Sequence, residues 1–542
     1  MREAAKKFTN KKTLSETGFS YVTGNLSVHS PYGNSILRSQ EAFLPGEEKK
    51  LEIEFDRLEE MISFASREPK KARTLMESLC LAKDISGSIK RSEAVTLSVV
   101  EIFEIKSFLL LCEEIRKIIG EGNFELIPVS DAIDVLDPKG DRMNTFYIYD
   151  EFSEKLAELR AEKKALDTEI RRVQKAKKDS IKAEYGIMLT PKFDIVIPKS
   201  SDDCEQAKNI DLLETVAEDY SSVTFALKAD AETYKLIEKA ENFNMAIEEE
   251  EENCCVRLSR RIWEYADVIL ENGRRIGYLD LMLAKANYSI EHKLVRPKIM
   301  EEHILSIKNG RHLQVEDILE SRGKVYCPIS MELREGVTCI TGANMGGKTI
   351  SLKLAGLIML MTQYGYFVPA DSAEVGLSNF MGILIGDSQS MERGLSSFGS
   401  EMEELKDILA GAKPRSLILV DEIASGTNPS EGQALTESLI DYLSEKEYIS
   451  LMTTHFDVKD ERAVSMQVRG LADADFRRLN SELSGADRNE RIDIIGKYMD
   501  YNLALVETGE EVPKDALNIA SMLGIPEEII MGARRHLEKD KK

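Results

Sequence analysis

The 542-residue chain has little of what most specialised sites are built from. It holds one Trp, six His and only 7% aromatic residues, and the six His are scattered, which argues against a metal cluster. Its seven Cys, at 80, 112, 204, 254, 255, 327 and 339, are odd in number and form no CxxC pair. They read as reduced thiols of a cytoplasmic protein, not as a disulfide frame or zinc site. A basic excess is missing too: 72 Lys and Arg stand against 95 Asp and Glu, a net charge of −23. A dedicated nucleic-acid binder usually shows a basic footprint, so that class is disfavoured, though a local basic face is compatible with the total. Long apolar runs are absent. The most apolar window, Leu352 to Met361, is too short to span a membrane and contains Lys353. Met1-Arg-Glu-Ala-Ala-Lys-Lys leads into no apolar stretch, so no signal peptide is expected.

What is present is hydrophobic content of 42%, enough for real cores, and a charged fraction of 31%, which suits long solvated helices. At roughly 100–200 residues per domain, the length suggests three or four units. Residues 1–130 are mostly helical in pattern. Leu51, Phe55, Leu58 and Ile62 recur at helical spacing, and Ser92–Ile119 forms a second long pattern carrying Leu97, Val100, Phe103 and Leu109. Leu156, Leu159, Lys163, Leu166, Ile170 and Val173 step 3-4-3-4-3, the a/d seam of a coiled-coil arm over 150–180. Phe193, Ile195 and Ile197 alternate as a short strand, and Ser222–Lys228 reads as another. Residues 230–295 return to helix, with Glu248–Glu252 read as a solvated face. From Gly310 onward short apolar strands alternate with helices, so an α/β sheet domain is expected beyond a boundary near 300.

Three motifs in that last region carry chemistry. Thr338–Thr341 is a short strand that runs into Gly342-Ala343-Asn344-Met345-Gly346-Gly347-Lys348-Thr349 and then a helix. Glycines there let backbone N–H groups turn inward around phosphates, and the helix N-terminus adds partial positive charge. Lys348 is expected to pair with β- and γ-phosphates, and the Thr349 hydroxyl to ligate Mg²⁺. Downstream, the buried strand Ser416-Leu-Ile-Leu-Val420 ends in two carboxylates, Asp421 and Glu422. Asp421 is expected to hold Mg²⁺ through water, and Glu422 to orient or deprotonate an attacking water. The next strand, Ile449–Met452, ends in Thr453-Thr454-His455, placing His455 to sense the γ-phosphate. Between these motifs, Gln389 is placed to reach the metal or the water. The turn at Ser396-Ser397 precedes a helix whose free N–H groups suit the γ-phosphate of a facing subunit. ATP and Mg²⁺ are thus the expected ligands of an ATP-hydrolysing enzyme.

Thr341-Gly-Ala-Asn-Met-Gly-Gly-Lys-Thr, Ser396-Ser-Phe, Asp421-Glu-Ile-Ala-Ser-Gly-Thr-Asn and Thr453-Thr-His-Phe together resemble the MutS family of ABC-type ATPases over residues 310–536. The tail beginning Ala516-Leu-Asn-Ile resembles the family's closing helical segment, and Ser30–Arg38 the start of its core-lever domain. The resemblance implies a multidomain fold: a helical core-like domain over 1–145, lever helices with a coiled-coil arm and reduced clamp over 146–300, and a P-loop ABC-type ATPase domain over 301–542. It further implies a homodimer or MutS-like heterodimer with two shared sites. Lys348, Thr349, Asp421, Glu422, Gln389 and His455 would serve the subunit's own nucleotide, and Ser396 the partner's. Ser425-Gly426-Thr427-Asn428 would cross the dimer interface, and Tyr326 sits where the family stacks a side chain on adenine.

The departures bear on function. The chain begins almost at the core-lever region, so the mismatch-reading and connector domains are expected to be absent, and Phe152-Ser-Glu154 matches the family's wedge letters only by chance within the heptad helix. No nuclease module is expected after Lys542. Ile385-Gly-Asp-Ser-Gln-Ser and Gly347-Lys-Thr-Ile-Ser-Leu-Lys resemble the second bacterial MutS branch. Short homologues also resemble MutS-like ATPases that reactivate cobalamin-dependent aminomutases. Two readings follow: a DNA-binding clamp related to mismatch repair or recombination, which is the family default, or an ATPase that remodels a protein client. A third, a helical protein with a dead nucleotide site, sits poorly with the intact Lys348, Asp421 and Glu422.

Overall fold

The computed structural model describes residues 8–341, 347–386, 397–424, 427–456, 462–471, 476–483, 491, 494–495, 497–498, 500–505 and 515–539. It divides into two compact units that do not follow chain order: residues 30–32 with 77–276, and residues 1–29, 33–76 and 277–542. Residue 300, where the sequence changes character, lies inside the second.

In the unit around 77–276, the helix Val99–Ile119 starts later than the apolar pattern from Ser92 suggests. Ser98 stops it. Its hydroxyl caps the Glu101 N–H while the Glu101 carboxylate accepts from the Ser98 N–H at 3.0 Å, a reciprocal capping box. Leu97 therefore sits outside the helix, buried, its N–H donating to Ser259 Oγ at 2.8 Å. The buried face is Ile102, Ile105, Leu109, Cys112 and Ile115, while Val100 is exposed.

The heptad segment becomes one helix of 32 residues, Glu154–Tyr185, capped by Ser153 and ended by Gly186 in a left-handed conformation (φ 71°). A second helix, Ala231–Trp263, runs back along it. Arg160 meets Glu251 at 2.6 Å near one end, and Lys177 meets Asp230 at 2.8 Å near the other, so the pair is antiparallel. Of the six seam residues only Leu156 is fully buried; the other five are half-buried. The acidic run is not wholly solvated as expected: Glu250 is buried, accepting from Ser153 and Lys155 and pairing with Arg257. Strands β1 (Asp194–Pro198), β2 (Leu213–Glu218) and β3 (Ser222–Leu227) lie between the two helices in sequence and form an antiparallel sheet in the order β1-β3-β2. One face packs Ile197, Val223 and Phe225 against Ile181, Cys204 and Ala207. Val196 and Val216 stay mostly exposed.

The other unit is built on two sheets. The smaller holds β4 (Lys298–Met300), β5 (Ile304–Gly310), β6 (Ile329–Arg334) and β8 (Ser372–Gly376) in the order β4-β8-β5-β6. The larger holds β7 (Gly336–Thr341), β9 (Phe380–Ile385), β10 (Ser416–Asp421), β11 (Tyr448–Thr453), β12 (Ala463–Gly470) and β13 (Asp500–Leu505). Its order is β13-β12-β7-β11-β10-β9, parallel except for β13 at one edge. β10 and β11 are buried along their whole length, as continuous apolar runs require when both sheet faces are covered. The helix Lys348–Gln363 is buried nearly all round. At its C-terminal end Lys285 Nζ donates to the carbonyls of Tyr364 and Gly365, at 3.0 and 3.2 Å, a cation at the negative end of the helix dipole. Burial pushes the Lys285 ammonium down to about 8. Among the described residues no helix is long and apolar enough to cross a membrane.

Candidate nucleotide site

In a parallel sheet the functional groups collect at the carboxyl ends of the strands. Here β7, β10 and β11 end side by side: Asp421 lies opposite Thr453, and Thr453 opposite Ile340. Register alone thus brings together strand ends that are 32 to 113 residues apart in the chain. β7 leads into the segment read from the sequence as a phosphate loop, of which Gly342, Ala343, Asn344, Met345 and Gly346 lie outside the described residues. Gly347 caps the next helix in a left-handed conformation (φ 76°), which glycine adopts at no steric cost.

Lys348 and Thr349 open that helix and point at the two carboxylates. Thr349 Oγ1 donates to Asp421 Oδ2 at 2.8 Å, and Thr453 Oγ1 donates to Asp421 Oδ1 at 2.5 Å. Lys348 Nζ, buried, stands 3.0 Å from Glu422 Oε1 and 3.2 Å from His455 Nδ1. His455 Nε2 is 2.6 Å from Glu422 Oε2. One arrangement satisfies all three contacts: a neutral imidazole accepting at Nδ1 from the lysine and donating from Nε2 to the carboxylate. Glu422 is the hub, with 27% of its side chain exposed and so open to water.

The turn holding Glu422 is strained. Glu422 (φ 48°) and Ala424 (φ 62°) both occupy the left-handed region without being glycine, at roughly 1–3 kcal/mol each. Glu422 N–H donates to both the carbonyl and the hydroxyl of Thr453, each at 3.1 Å. Ala424 N–H donates to Glu401 Oε1 at 3.0 Å. Burial raises the Glu401 carboxyl above the usual carboxylate range, offset in part by that N–H.

The oxygens of Thr349 and Asp421 fit a hard divalent cation. Among the described residues no group of three His, Cys, Asp or Glu could cage a metal, and Mg²⁺ typically takes one or two carboxylates and completes its shell with phosphate and water.

Lys348, Glu422 and His455 therefore contact one another, and Thr349 contacts Asp421, the chain neighbour of Glu422. Gln389 and Ser396, with Ser425 and Gly426, lie outside the described residues. Tyr326 is only 8% exposed, between the helix Leu313–Ser321 and β6, and desolvation holds its hydroxyl well above the usual range. A ring sunk that deep has little open face for a base, which argues against adenine stacking; the neighbouring Val325 is 92% exposed. Sequence reasoning missed Thr453 and Glu401 as site residues. A Thr at the end of the strand after the carboxylates was visible, but its contact with Asp421 depends on strand register. Glu401 lies on a helix distant in sequence from the turn it holds.

The family pattern of MutS domain V matches residues 338–540. The chain is 34% identical over 297 residues to an Endonuclease MutS2 of Fusobacterium nucleatum, 54% of this chain and 35% of that protein. It is 28% identical over 481 residues to an Endonuclease MutS2 of Halothermothrix orenii, 83% of this chain and 56% of that protein. A DNA mismatch repair protein MutS of Thermodesulfovibrio yellowstonii is 36% identical over 214 residues, 38% of this chain and 25% of that protein. The matched part thus spans between a quarter and just over half the length of these relatives. The parallel sheet that gathers Lys348, Thr349, Asp421, Glu422 and His455 at its carboxyl edge lies within the matched region, so residues 338–540 carry an ATPase domain of the MutS domain V type.

Proposed function

We propose that this chain binds ATP with Mg²⁺ and hydrolyses it at the carboxyl edge of the large sheet. The observation that carries the reading is Glu422, held between Lys348 and His455 beside the Thr349–Asp421 pair. Mg²⁺, when bound, neutralises charge developing on the β- and γ-phosphates, and Thr349 and Asp421 would hold it. Lys348 would pair with the same phosphates. Glu422 would accept the proton of the attacking water, and His455 would keep that carboxylate aimed by donating from Nε2. Gln389 would assist at the metal or water. Ser396 would complete the site of a second subunit, so the working form is a homodimer or a MutS-like heterodimer. Steady-state ATP hydrolysis by the wild-type chain and by Glu422→Gln tests the site; equal turnover by both would remove Glu422 from the mechanism.

Turnover would gate the antiparallel helix pair of the other unit, read as a coiled-coil arm with a reduced clamp closing on DNA. The parts proposed from the sequence, 1–145, 146–300 and 301–542, are in this sense divisions of role, not of contact. Titration of labelled duplex and branched DNA at two salt concentrations decides it, since phosphate contacts must weaken as salt rises. One observation favours the second reading, a protein client such as a cobalamin-dependent aminomutase. Between residues 186 and 228, which include the small sheet, there are eight carboxylates and four lysines, the wrong balance for gripping phosphates. ATP-dependent recovery of an inactivated aminomutase would support that alternative.

A further inference from the structure

Glu401 is a half-buried carboxylate in the second turn of the helix Ser397–Gly411, and the proposed chemistry leaves it without a role. Its Oε1 accepts the N–H of Ala424, two residues beyond Glu422. Ala424 is engaged at both its N–H and its carbonyl. The Ala424 carbonyl accepts from Thr427 N–H at 3.3 Å, and a Cβ added at Gly432 would stand 3.1 Å from the same oxygen. Ile423 and Ala424 are buried in the core against which Phe398 and Met402 of the Glu401 helix pack. The turn therefore meets this helix through an apolar patch and one charge-assisted hydrogen bond.

Such a bond is needed here. Residues 422 and 424 both have positive φ without being glycine, and a turn of that kind persists only where its surroundings over-determine it. On one side, Thr453 holds the Glu422 N–H twice. On the other, the Glu401 carboxylate holds the Ala424 N–H. Relaxation of Ala424 toward ordinary φ would rotate the peptide chain that carries Glu422 and move its carboxylate away from Lys348 and His455.

We infer that Glu401 is a positioning residue for ATP hydrolysis, tying the helix Ser397–Gly411 to the Ala424 peptide and thereby keeping the Glu422 carboxylate aimed. This rests on the proposed ATPase reading of the site. Among the described residues Glu401 meets none of Lys348, Thr349, Asp421, Glu422 and His455, so its action on them runs through the turn.

The test compares Glu401→Ala and Glu401→Gln in the full chain. Steady-state ATP hydrolysis and binding of a fluorescent ATP analogue are measured for each. Ala removes the acceptor, and Gln keeps an oxygen for the Ala424 N–H. Glu401→Ala is expected to lower kcat about 10- to 100-fold, as small misplacements of a catalytic group do. KM and analogue affinity are expected to stay within about twofold, because ground-state binding does not use the turn. Glu401→Gln is expected to restore most of the lost rate. The inference is overturned if Glu401→Ala turns over like the wild type, if it loses rate and nucleotide affinity together, or if Glu401→Gln falls as far as Ala. Failure of the ATPase reading would look different: the wild-type chain itself would not hydrolyse ATP, or Glu422→Gln would match it.

Discussion

The two ends of the molecule's chemistry are built by opposite means. At the nucleotide site, polar atoms are placed by β10 and β11, whose every residue is buried. In the antiparallel helix pair, the longer-range order comes from two helices whose seam is mostly half-buried and whose charges meet across it. A packed sheet has one arrangement and resists displacement, because interiors are close-packed and lose contacts abruptly. A pair of helices with a thin apolar seam keeps its secondary structure while bending or sliding at low cost. The two regions thus differ in kind: the sheet fixes atoms to within a hydrogen bond, and the helix pair meets through a mostly half-buried seam.

The sharpest way to break this comparison is at Glu422. Replacement by Gln is expected to cut turnover on the order of 10²–10⁴-fold while a fluorescent ATP analogue still binds. A comparable loss from changes in the arm seam would mean that the rigid part does not own the chemistry. Next in size is packing. Leu419→Ala in β10, fully buried, is expected to cost about 2–5 kcal/mol, whereas Leu166→Ala, half-buried in the arm, is expected to cost about 1 kcal/mol. Hydrogen exchange of β10 and of the arm helices reads the two separately.

Acid should strike the sheet unit. Burial lowers His303 to about 3 and His312 to about 4. Both therefore fold neutral and bind protons more readily when unfolded, so the stability they contribute is complete above their ordinary pKa near 6.5 and is lost as pH falls toward those values. Unfolding free energy measured from pH 7 down to pH 4 is expected to drop, and His303→Gln to flatten the slope; an unchanged slope would show that burial of His303 is not what makes the unit acid-labile. The smallest effect belongs to the arm. Arg160→Ala breaks the pair with Glu251 and is expected to cost at most about 1 kcal/mol, a difference that shrinks as salt rises.

Much of the candidate site was legible because its motifs are local. A strand, a glycine loop and Lys348-Thr349 read as one unit, and so do Leu417–Val420 followed by Asp421-Glu422, since apolar runs and loop chemistry leave their mark in neighbouring residues. The helix Glu154–Tyr185 was legible for the same reason: Leu156, Leu159, Lys163, Leu166, Ile170 and Val173 repeat every three or four residues. Where helices stop was less so. The apolar pattern ran on from Ser92, and the reciprocal bonds of Ser98 and Glu101 set the start at Val99. Tyr326 was placed at the adenine by resemblance alone, and its burial was not legible in the sequence.

The sequence by itself determined the main helices and strands and put Lys348, Thr349, Asp421, Glu422 and His455 forward as candidate site residues, because periodicity and short motifs are properties of adjacent residues. Only the tertiary structure decided that Thr453 and Thr349 share Asp421, that Glu401 secures the turn beyond Glu422, and that residues 8–29 and 33–76 join the same unit as the large sheet. Those facts depend on strand order, register and packing between distant segments. A linear pattern does not specify which parallel neighbour a strand takes, and the free energy that selects it is spread over the whole core.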